Sequence, residues 1–365
     1  MKLTTTRDAL SDAVTWTART IPNRPPVPIL SGIRLTAEAE MITLEAFDYE
    51  TSAKTTSPAD VETPGTVVVS GRLLADIVKA LPPKPVTLTV EGTTLHVKCG
   101  AAKFKLLTMP TDDYPALPAT PGPLGTIDNE TFEYAVGQVA IAASRDESLA
   151  LLTTVRVETE PGRMSLLATD RYRLAVRELE WDGTETGAFL VRAKSLTEGA
   201  KSLRGPITLG ADGDHVAFAD ASRTLNTSLF DGEYPPVRRL FPDATTTDVE
   251  VNTAELIDAV KRASLVAERN TPVRLVFTAG AVTVEAGSQD DASASEKIPA
   301  TLTGEDLTAA FNPQYLLDGL HALDAPAVVF GFTHPHKPAV LTGRTSTGED
   351  IAGYRYLLVP IRVAN

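Results

Sequence analysis

Internal repetition constrains the fold most strongly, because similar segments recur at intervals of about 120 residues. The segment Ala46–Tyr49 has a close counterpart in Ala168–Tyr172, so that the two aspartates lie 170 − 48 = 122 positions apart. The pair Tyr114–Pro115 recurs as Tyr234–Pro235, and a weaker third copy occupies 271–360. Repeats of this length are whole domains, and similar domains in series usually build an arc or a ring.

Proline-rich stretches at 109–127 and 235–247 separate the repeats, and such linkers are stiff. A chain of 365 residues also suits two or three domains, each with its own core. We therefore predict an N-terminal domain 1–124, a central domain 125–245 and a C-terminal domain 246–365.

Each repeat combines two helices with several alternating strands, which predicts an α+β fold with antiparallel sheets. Segments 33–36 and 41–46 alternate apolar and polar residues, and 87–97 is typical of a hairpin with a glycine turn. Asn129 and Thr253 are predicted to cap two of the helices. The predicted helices are 8–20, 72–81, 129–143, 194–203, 253–268 and 313–323.

Composition limits the possible partners. The net charge of −13 argues against a surface covered with phosphate-binding groups, and no third of the chain is basic, so any nucleic-acid contact must be confined to one face. Cys99 stands alone, which excludes a disulfide framework and a cysteine-based metal site. Without an apolar stretch of membrane length or a signal peptide, we expect a cytoplasmic protein that does not contact membranes.

Motifs of the common enzyme classes are missing. The sequence has no phosphate loop, no GxGxxG, no HExxH and no GxSxG, and we expect neither a cofactor nor a metal site. His334 and His336 are more typical of a solvated loop. Asp170 and Arg173 could serve a hydrolase, and this alternative stays open. Asp48, the counterpart of Asp170 in the first repeat, lacks arginine neighbours, which favours a structural role for both aspartates at a strand end.

Five segments carry a family resemblance. In order along the chain, 24–30, 168–176, 231–235, 311–316 and 358–362 resemble the signature segments of the bacterial sliding clamp, the β subunit of DNA polymerase III, in an actinobacterial-like form. Five motifs in the correct order across the whole chain are more specific than any single motif.

The resemblance implies three clamp domains and a ring-forming head-to-tail homodimer, with antiparallel sheets outside and paired helices inside. It also implies a non-catalytic processivity factor that encircles double-stranded DNA independently of sequence. The implied partners are a second copy of the chain, the DNA polymerase III α subunit, the clamp loader, other polymerases, ligase and mismatch-repair proteins. Six helices spaced at about 9 Å enclose a bore of only about 7 Å, whereas twelve enclose about 24 Å, so a dimer is needed to surround a duplex.

Two sets of site residues follow from the resemblance. The expected peptide-binding cleft, between the central and C-terminal domains, comprises Leu152, Thr169, Arg171, Tyr172, Arg173, Leu174, Pro235, Arg239, Leu240, Asn312, Tyr315, Val340, Leu357, Val359, Pro360, Ile361 and Arg362. The expected DNA-facing residues are Arg24, Arg72, Lys79, Arg145, Lys194 and Lys201.

Five of the cleft residues are expected to form an apolar pocket for leucine or phenylalanine anchors, with Arg173 and Arg362 donating to the ligand. The five are Leu152, Leu174, Leu240, Val340 and Val359.

The chain also departs from the family pattern. Val359 stands where methionine is frequent, Val363 where leucine is frequent, and Arg171–Tyr172 where some members have Gly-His; Ala364–Asn365 extends the usual end. Because of these departures, an alternative interpretation stays open: the protein is a second-copy clamp whose altered cleft confers resistance to a cleft-binding inhibitor. From a different class, a three-domain scaffold or carbohydrate-binding protein unrelated to DNA also stays open.

Overall fold

The computed structural model describes residues 1–266, 271–287 and 292–362. Six α-helices occur within these ranges, two in each predicted repeat. They are α1 (Arg7–Thr17), α2 (Gly71–Ala80), α3 (Asn129–Ala140), α4 (Ala193–Ser202), α5 (Thr253–Ser264) and α6 (Pro313–Leu323).

All six predicted helices are present, although several are shorter than predicted. Helix α1 ends at Thr17, and a 3-10 turn continues to Thr20. Helix α5 ends at Ser264, and the predicted end at Glu268 lies outside the described residues.

Both predicted helix caps are wrong. Asn252, not Thr253, caps α5, and its Oδ1 accepts a hydrogen bond from the Glu255 amide at 3.0 Å. An asparagine side chain placed one position earlier is the better acceptor for the first-turn amides. Asn129 is itself the first residue of α3, and its Nδ2 donates to the Leu203 carbonyl at 3.0 Å.

Within the described residues, strands contain more of the chain than α-helices do, and short 3-10 helices connect several of them. The strands are β1 (Lys2–Thr5), β2 (Gly32–Glu38), β3 (Met41–Phe47), β4 (Thr51–Pro58), β5 (Asp60–Thr63), β6 (Gly65–Ser70), β7 (Val86–Glu91), β8 (Thr94–Cys99), β9 (Ala102–Met109), β10 (Pro123–Ile127), β11 (Thr154–Glu160), β12 (Arg163–Thr169), β13 (Arg173–Glu180), β14 (Asp182–Gly183), β15 (Gly187–Arg192), β16 (Ile207–Ala211), β17 (His215–Ala219), β18 (Arg223–Ser228), β19 (Thr247–Asn252), β20 (Val273–Thr278), β21 (Ala281–Gly287), β22 (Ser293–Thr303), β23 (Leu307–Phe311), β24 (Ala327–Phe332), β25 (Ala339–Arg344) and β26 (Asp350–Leu358). The 3-10 helices are Ala18–Thr20, Pro28–Ser31, Thr111–Asp113, Glu147–Thr153 and Val237–Leu240.

The first compact unit comprises Met1–Glu130 and Glu198–Leu229. Its strands pair in the order β10-β16-β17-β18-β4-β3-β2-β6-β9-β8-β7-β1-β5. Helices α1 and α2 contribute Leu10, Val14 and Leu74 to its hydrophobic core, and these side chains are fully buried. The predicted hairpin at 87–97 is confirmed as β7 and β8.

The second compact unit comprises Thr131–Thr197 and the chain from Phe230 onward. Its strands pair in the order β15-β11-β12-β13-β26-β25-β24-β19-β22-β21-β20-β23. The pairing of β13 with β26 is antiparallel and places Leu174 opposite Leu357. This strand pair therefore joins parts of the central and C-terminal repeats that lie far apart in the sequence.

The repeated aspartates have the predicted structural role. Oδ1 of Asp48 accepts hydrogen bonds from the amides two and three positions later, and Oδ1 of Asp170 does the same. The residue after each aspartate has positive φ, 74° at Tyr49 and 80° at Arg171. Both turns join neighbouring antiparallel strands.

The two units differ from the three predicted domains, because the central repeat contributes to both of them. The boundaries after residues 124 and 245 stay predictions. Within the described ranges, no helix combines the length and the apolar character needed to cross a membrane.

Candidate functional site

The turn between β12 and β13 supplies four of the predicted cleft residues and is held by its own side chains. The hydroxyl of Thr169 donates to the Arg173 carbonyl at 2.6 Å, and the Arg171 amide donates to that hydroxyl oxygen at 3.1 Å. These bonds, together with those to Asp170, fix the position of Tyr172 at the surface.

Arg173 is a buried structural group rather than an open donor, since only 4% of it is exposed. Its Nε donates to Asp170 at 2.9 Å and its Nη1 to Asp318 at 2.6 Å. The guanidinium also lies over the Tyr315 ring, 4.3 Å from the centroid. Two of the donors that Arg173 was expected to present to a ligand, Nε and Nη1, are therefore engaged within the protein.

Two stacked tyrosines form one wall of the site. Tyr172 is 54% exposed and stacks on Tyr315, with 6.1 Å between the ring centroids. Asn312 caps α6 through Oδ1, which accepts from the Gln314 and Tyr315 amides. The Tyr356 hydroxyl donates to the Tyr315 carbonyl at 2.8 Å, so the first turn of α6 is anchored to β26.

A compact apolar cluster, which we call the cleft floor, lies beside this wall. Leu174 and Leu357 are fully buried within it, and Val340 and Val359 pack against it while staying partly exposed. The other buried members are Leu167, Val176, Leu190, Tyr234, Val237 and Phe241.

Two members of the predicted pocket are not among the residues of the cleft floor. In the described part of the chain, Leu151 packs against the cleft floor rather than its neighbour Leu152. Leu240 is largely exposed and lies on the 3-10 helix Val237–Leu240. Sequence analysis also missed Phe230 and Phe241, although both flank the repeated Tyr234–Pro235 pair.

The segment after β26 runs along the site as an extended chain. The Val359 amide donates to the Tyr172 carbonyl at 2.9 Å, and the Ile361 amide donates to the Ala310 carbonyl at 2.7 Å. Pro360 is partly exposed, whereas Ile361 and Arg362 are exposed. The residues noted as departures at 363–365 lie outside the described part of the chain.

Pro235 and Arg239 border a cavity of about 350 Å³ that shares Leu167, Tyr234 and Val237 with the cleft floor. Burial raises the pKa of the Tyr234 hydroxyl, whose oxygen accepts from the Thr169 amide at 3.1 Å. The buried tyrosine thus connects the cavity wall to the turn that carries Tyr172.

The predicted DNA-facing residues are all exposed in their own units. In the first unit, Arg72 donates to Asn23 Oδ1 at 2.6 Å and to the Ile21 carbonyl at 3.2 Å, so it braces the loop that carries Arg24. Lys79 and Lys201 are exposed near the ends of α2 and α4. In the second unit, Arg145 follows α3 and Lys194 lies in the first turn of α4, and both are exposed.

Comparison with known proteins gives matches along nearly the whole chain. Models of the DNA polymerase III β subunit match as its N-terminal domain at residues 1–118, its central domain at 126–236 and its C-terminal domain at 238–352.

Curated relatives and solved structures agree with these matches. The chain is 45% identical over 375 residues to the β sliding clamp of Streptomyces coelicolor, covering 100% of both chains. It is 50% identical over 309 residues to the β sliding clamp of Micrococcus luteus, covering 83% of this chain and 100% of the relative. The crystal structure of the Bacillus subtilis sliding clamp superimposes with a TM-score of 0.93 at 28% identity, covering 100% of both chains.

The fold and the matches define the class as ring-forming sliding clamps built from three similar domains. The chain belongs to the family of the DNA polymerase III β subunit. It is therefore a processivity factor of DNA polymerase and a non-catalytic subunit, which associates with itself, with DNA and with polymerase. The hydrolase and the non-DNA scaffold considered from the sequence are wrong.

Proposed function

We propose that the cleft floor and its rim bind short linear peptides of the partner proteins. The proposed partners are the DNA polymerase III α subunit, the clamp loader, other polymerases, ligase and mismatch-repair proteins. The observation that carries the proposal is a buried apolar cluster bordered by exposed apolar side chains, namely Tyr172, Leu240 and Ile361. Such a surface suits the leucine and phenylalanine anchors of an extended peptide.

The polar part of the proposed cleft differs from the sequence expectation. Because Arg173 is engaged with two carboxylates, the donors to the peptide come from the exposed arginines Arg171, Arg239 and Arg362. These side chains lie at the rim, so they contribute more to orientation and association rate than to affinity.

The test is deletion of residues 359–365, which removes Val359 and Ile361 from the site. A fluorescent peptide with leucine and phenylalanine anchors should lose its affinity, because part of the apolar surface that it contacts is gone. Light scattering should give the same oligomeric state as for the full chain. Peptide affinity equal to that of the full chain would contradict the assignment.

For the DNA, we propose enclosure with loose phosphate contacts from Arg24, Arg72, Lys79, Arg145, Lys194 and Lys201. Protein loaded on a nicked circle should persist at moderate salt and slide off once the circle is cut, because phosphate contacts alone weaken steeply with salt. Substituting Arg24 and Lys194 by alanine should lower loading. Equal retention on linear and circular DNA would contradict enclosure.

We also propose a cytoplasmic location, because a clamp that encloses bacterial chromosomal DNA must share its compartment. Cell fractionation checks this location.

Two open sheet edges support a head-to-tail dimer. Within the described residues, the 102–107 part of β9 pairs only with β8, and the 293–299 part of β22 pairs only with β21. Unpaired edges invite pairing with another chain. Leu107 on β9 is 79% exposed, and Leu265 after α5 is 84% exposed. We infer that the first edge of one copy meets the second edge of its partner.

Light scattering tests this arrangement. The wild-type protein should have a mass of 2 × 38.8 kDa at micromolar concentration. The variants Leu107→Asp and Leu265→Asp should each shift it toward monomer, because a carboxylate would be buried at the contact. Leu73→Asp, at an exposed leucine of α2, is the matched control and should stay dimeric. A dimer unaffected by either edge variant would contradict this geometry.

A further inference from the structure

The chain segment that follows Tyr234 forms one side of the proposed peptide cleft. It contains the 3-10 helix Val237–Leu240, which we call the rim helix. Val237 packs in the cleft floor, whereas Arg239 and Leu240 are exposed at the rim. The contacts that hold the rim helix therefore decide where these two rim side chains stand.

The equivalent segment of the first repeat is held by a strand side chain. Ala119 lies five positions after Tyr114, as Arg239 lies five positions after Tyr234. The Ala119 carbonyl accepts a hydrogen bond from Asn226 Nδ2 at 3.0 Å. This segment is therefore tied directly to β18.

The second repeat has an apolar side chain at the position of that donor. Leu357 on β26 takes the place of Asn226, because each lies opposite the residue four positions after a turn aspartate, Leu174 or Ser52. A leucine side chain cannot donate a hydrogen bond, and Leu357 instead adds apolar surface to the cleft floor. A different contact has to hold the rim helix.

Arg238 supplies that contact through all three of its side-chain nitrogens. Nε and Nη2 donate to Glu158 Oε2 at 3.1 and 2.8 Å, and Nη1 donates to Glu178 Oε1 at 2.9 Å. Ser165 lies between the two glutamates in the sheet, opposite Glu158 on β11 and opposite Glu178 on β13. One planar guanidinium thus connects the rim helix to two strands at once.

The row of carboxylates lies directly beside the cleft floor. Leu167 and Val176 are opposite each other and belong to the floor. They lie two positions from Ser165 and Glu178 along the same strands, and residues two apart on a strand share a face. The ion pairs of Arg238 therefore hold the rim helix to the same sheet face that forms the floor.

Apolar packing is incomplete on this side of the rim helix. The cavity of about 350 Å³ is lined by residues 234–239 on one side and by Glu158 and Leu167 of the sheet on the other. Burial alone would raise the pKa of the Glu158 carboxyl, but hydrogen bonds from Arg238 and Arg156 lower this pKa below its usual value. The carboxylate is thus ionised at neutral pH and pairs with Arg238 across a space that side chains do not fill.

We propose that Arg238 is a positioning residue of the peptide site. It fixes the rim helix from outside the cleft, so that Arg239 and Leu240 stand at the rim before a peptide arrives, and it does not contact the peptide itself. Side chains that are already ordered lower the entropy cost of binding. The inference rests on the proposed peptide-binding function and adds to it the residue that sets the rim.

Arg238→Ala is the first test. The affinity for an uncharged fluorescent peptide with leucine and phenylalanine anchors should fall about tenfold, since two rim side chains would become ordered only on binding. Arg344→Ala is the matched control, because Arg344 also connects two carboxylates, those of Asp350 and Glu250, at 2.9 and 2.6 Å. Both variants should lower the thermal midpoint slightly, but Arg344→Ala should keep the wild-type peptide affinity. Equal weakening of the peptide by the two would indicate a general loss of stability and overturn the positioning role.

Removal of the acceptors distinguishes positioning from direct contact. The double variant Glu158→Ala with Glu178→Ala releases the guanidinium of Arg238 without removing it. If Arg238 positions the rim helix, the peptide affinity falls as in Arg238→Ala. A released donor that contacted the peptide would instead raise the affinity, so an unchanged or higher affinity overturns the proposal.

A double-mutant cycle with Leu240→Ala shows whether Arg238 acts through the rim. Leu240→Ala should weaken the peptide in the wild-type background and much less in the Arg238→Ala background, because a released rim helix no longer presents Leu240. Additive losses would overturn action through Leu240. If Leu240→Ala and Val359→Asp both keep the wild-type affinity, the peptide site itself fails; if they weaken the peptide and Arg238→Ala does not, only the positioning role fails.

Discussion

Two joints between successive repeats use the same backbone arrangement with different side chains. In the first joint, within the first unit, β4 pairs with β18 and Ser52 lies opposite Asn226. In the second joint, within the second unit, β13 pairs with β26 and Leu174 lies opposite Leu357. Each pair lies at the same distance in sequence from its turn aspartate, Asp48 or Asp170. The two joints are therefore equivalent positions of the repeat.

The first joint uses its side chains for internal polar contacts. The hydroxyls of Thr51 and Thr227 are 3.0 Å apart, and Asn226 Nδ2 donates to the Ala119 carbonyl at 3.0 Å. The amide of Ser228 donates to the Glu50 carbonyl at 2.9 Å, as the Val359 amide donates to Tyr172 in the second joint.

The second joint replaces those polar groups with an apolar surface. Val359 stands where the first joint has Ser228, and it packs on the cleft floor while staying partly exposed. The comparison shows that the repeat supplies the backbone twice, and that the second set of side chains leaves the apolar surface on which the proposed peptide site rests. The predictions below compare equivalent positions, from the largest effect to the smallest.

The largest effect is expected at the positions three residues after the turn aspartates. Arg173→Ala should lower the free energy of unfolding by about 3–5 kcal/mol, because two carboxylates lose their buried partner. Thr51→Ala, the equivalent change in the first joint, removes a single hydroxyl contact and should cost about 1 kcal/mol. Chemical denaturation of both variants checks the difference. Similar losses of unfolding free energy in Arg173→Ala and Thr51→Ala would show that the ion pairs of Arg173 contribute little to stability.

The next effect concerns peptide binding. Val359→Asp should weaken an anchored peptide by several kcal/mol, at least a hundredfold in affinity, because a carboxylate would lie at an apolar contact. Ser228→Asp, its equivalent in the first joint, should leave the affinity unchanged. Fluorescence anisotropy with one labelled peptide measures both. Equal weakening by the two substitutions would remove the distinction between the joints.

Tyr172 should contribute less than Val359. Tyr172→Ala removes an exposed ring that stacks on Tyr315 and should cost about 2 kcal/mol of peptide binding, roughly thirtyfold. Glu50→Ala, at the equivalent position, is the control and should have no effect on the peptide. Wild-type affinity in Tyr172→Ala would place the peptide away from the tyrosine wall.

The smallest effect tests the departure from the family pattern. Methionine is longer and more adaptable than valine, so Val359→Met should strengthen a bulky rigid cleft ligand by about 1 kcal/mol, roughly fivefold. A flexible partner peptide should change less. Calorimetry of both ligands decides the point. If the rigid ligand binds the wild-type protein and Val359→Met with equal affinity, Val359 is ordinary family variation and has no role in resistance.

Local patterns in the sequence predicted the helices and the turn aspartates, since both depend on residues within a few positions of one another. The role of Arg173 was missed because its partner Asp318 lies 145 positions away and no local pattern connects them. Leu151 and Leu152 were indistinguishable in sequence. Only the 3-10 path of Glu147–Thr153 decides which of the two packs on the cleft floor.

The difference between Asn252 and Thr253 was equally hard to predict, because both residue types cap helices and they are adjacent.

The number of peptide sites per chain tests the central claim most directly, because the chain contains two equivalent joints. Titration calorimetry of an anchored peptide into the wild-type protein should give one site per chain, and Val359→Asp should abolish it. Two sites per chain, or one site that survives Val359→Asp, would contradict the claim that only the apolar second joint binds the peptide.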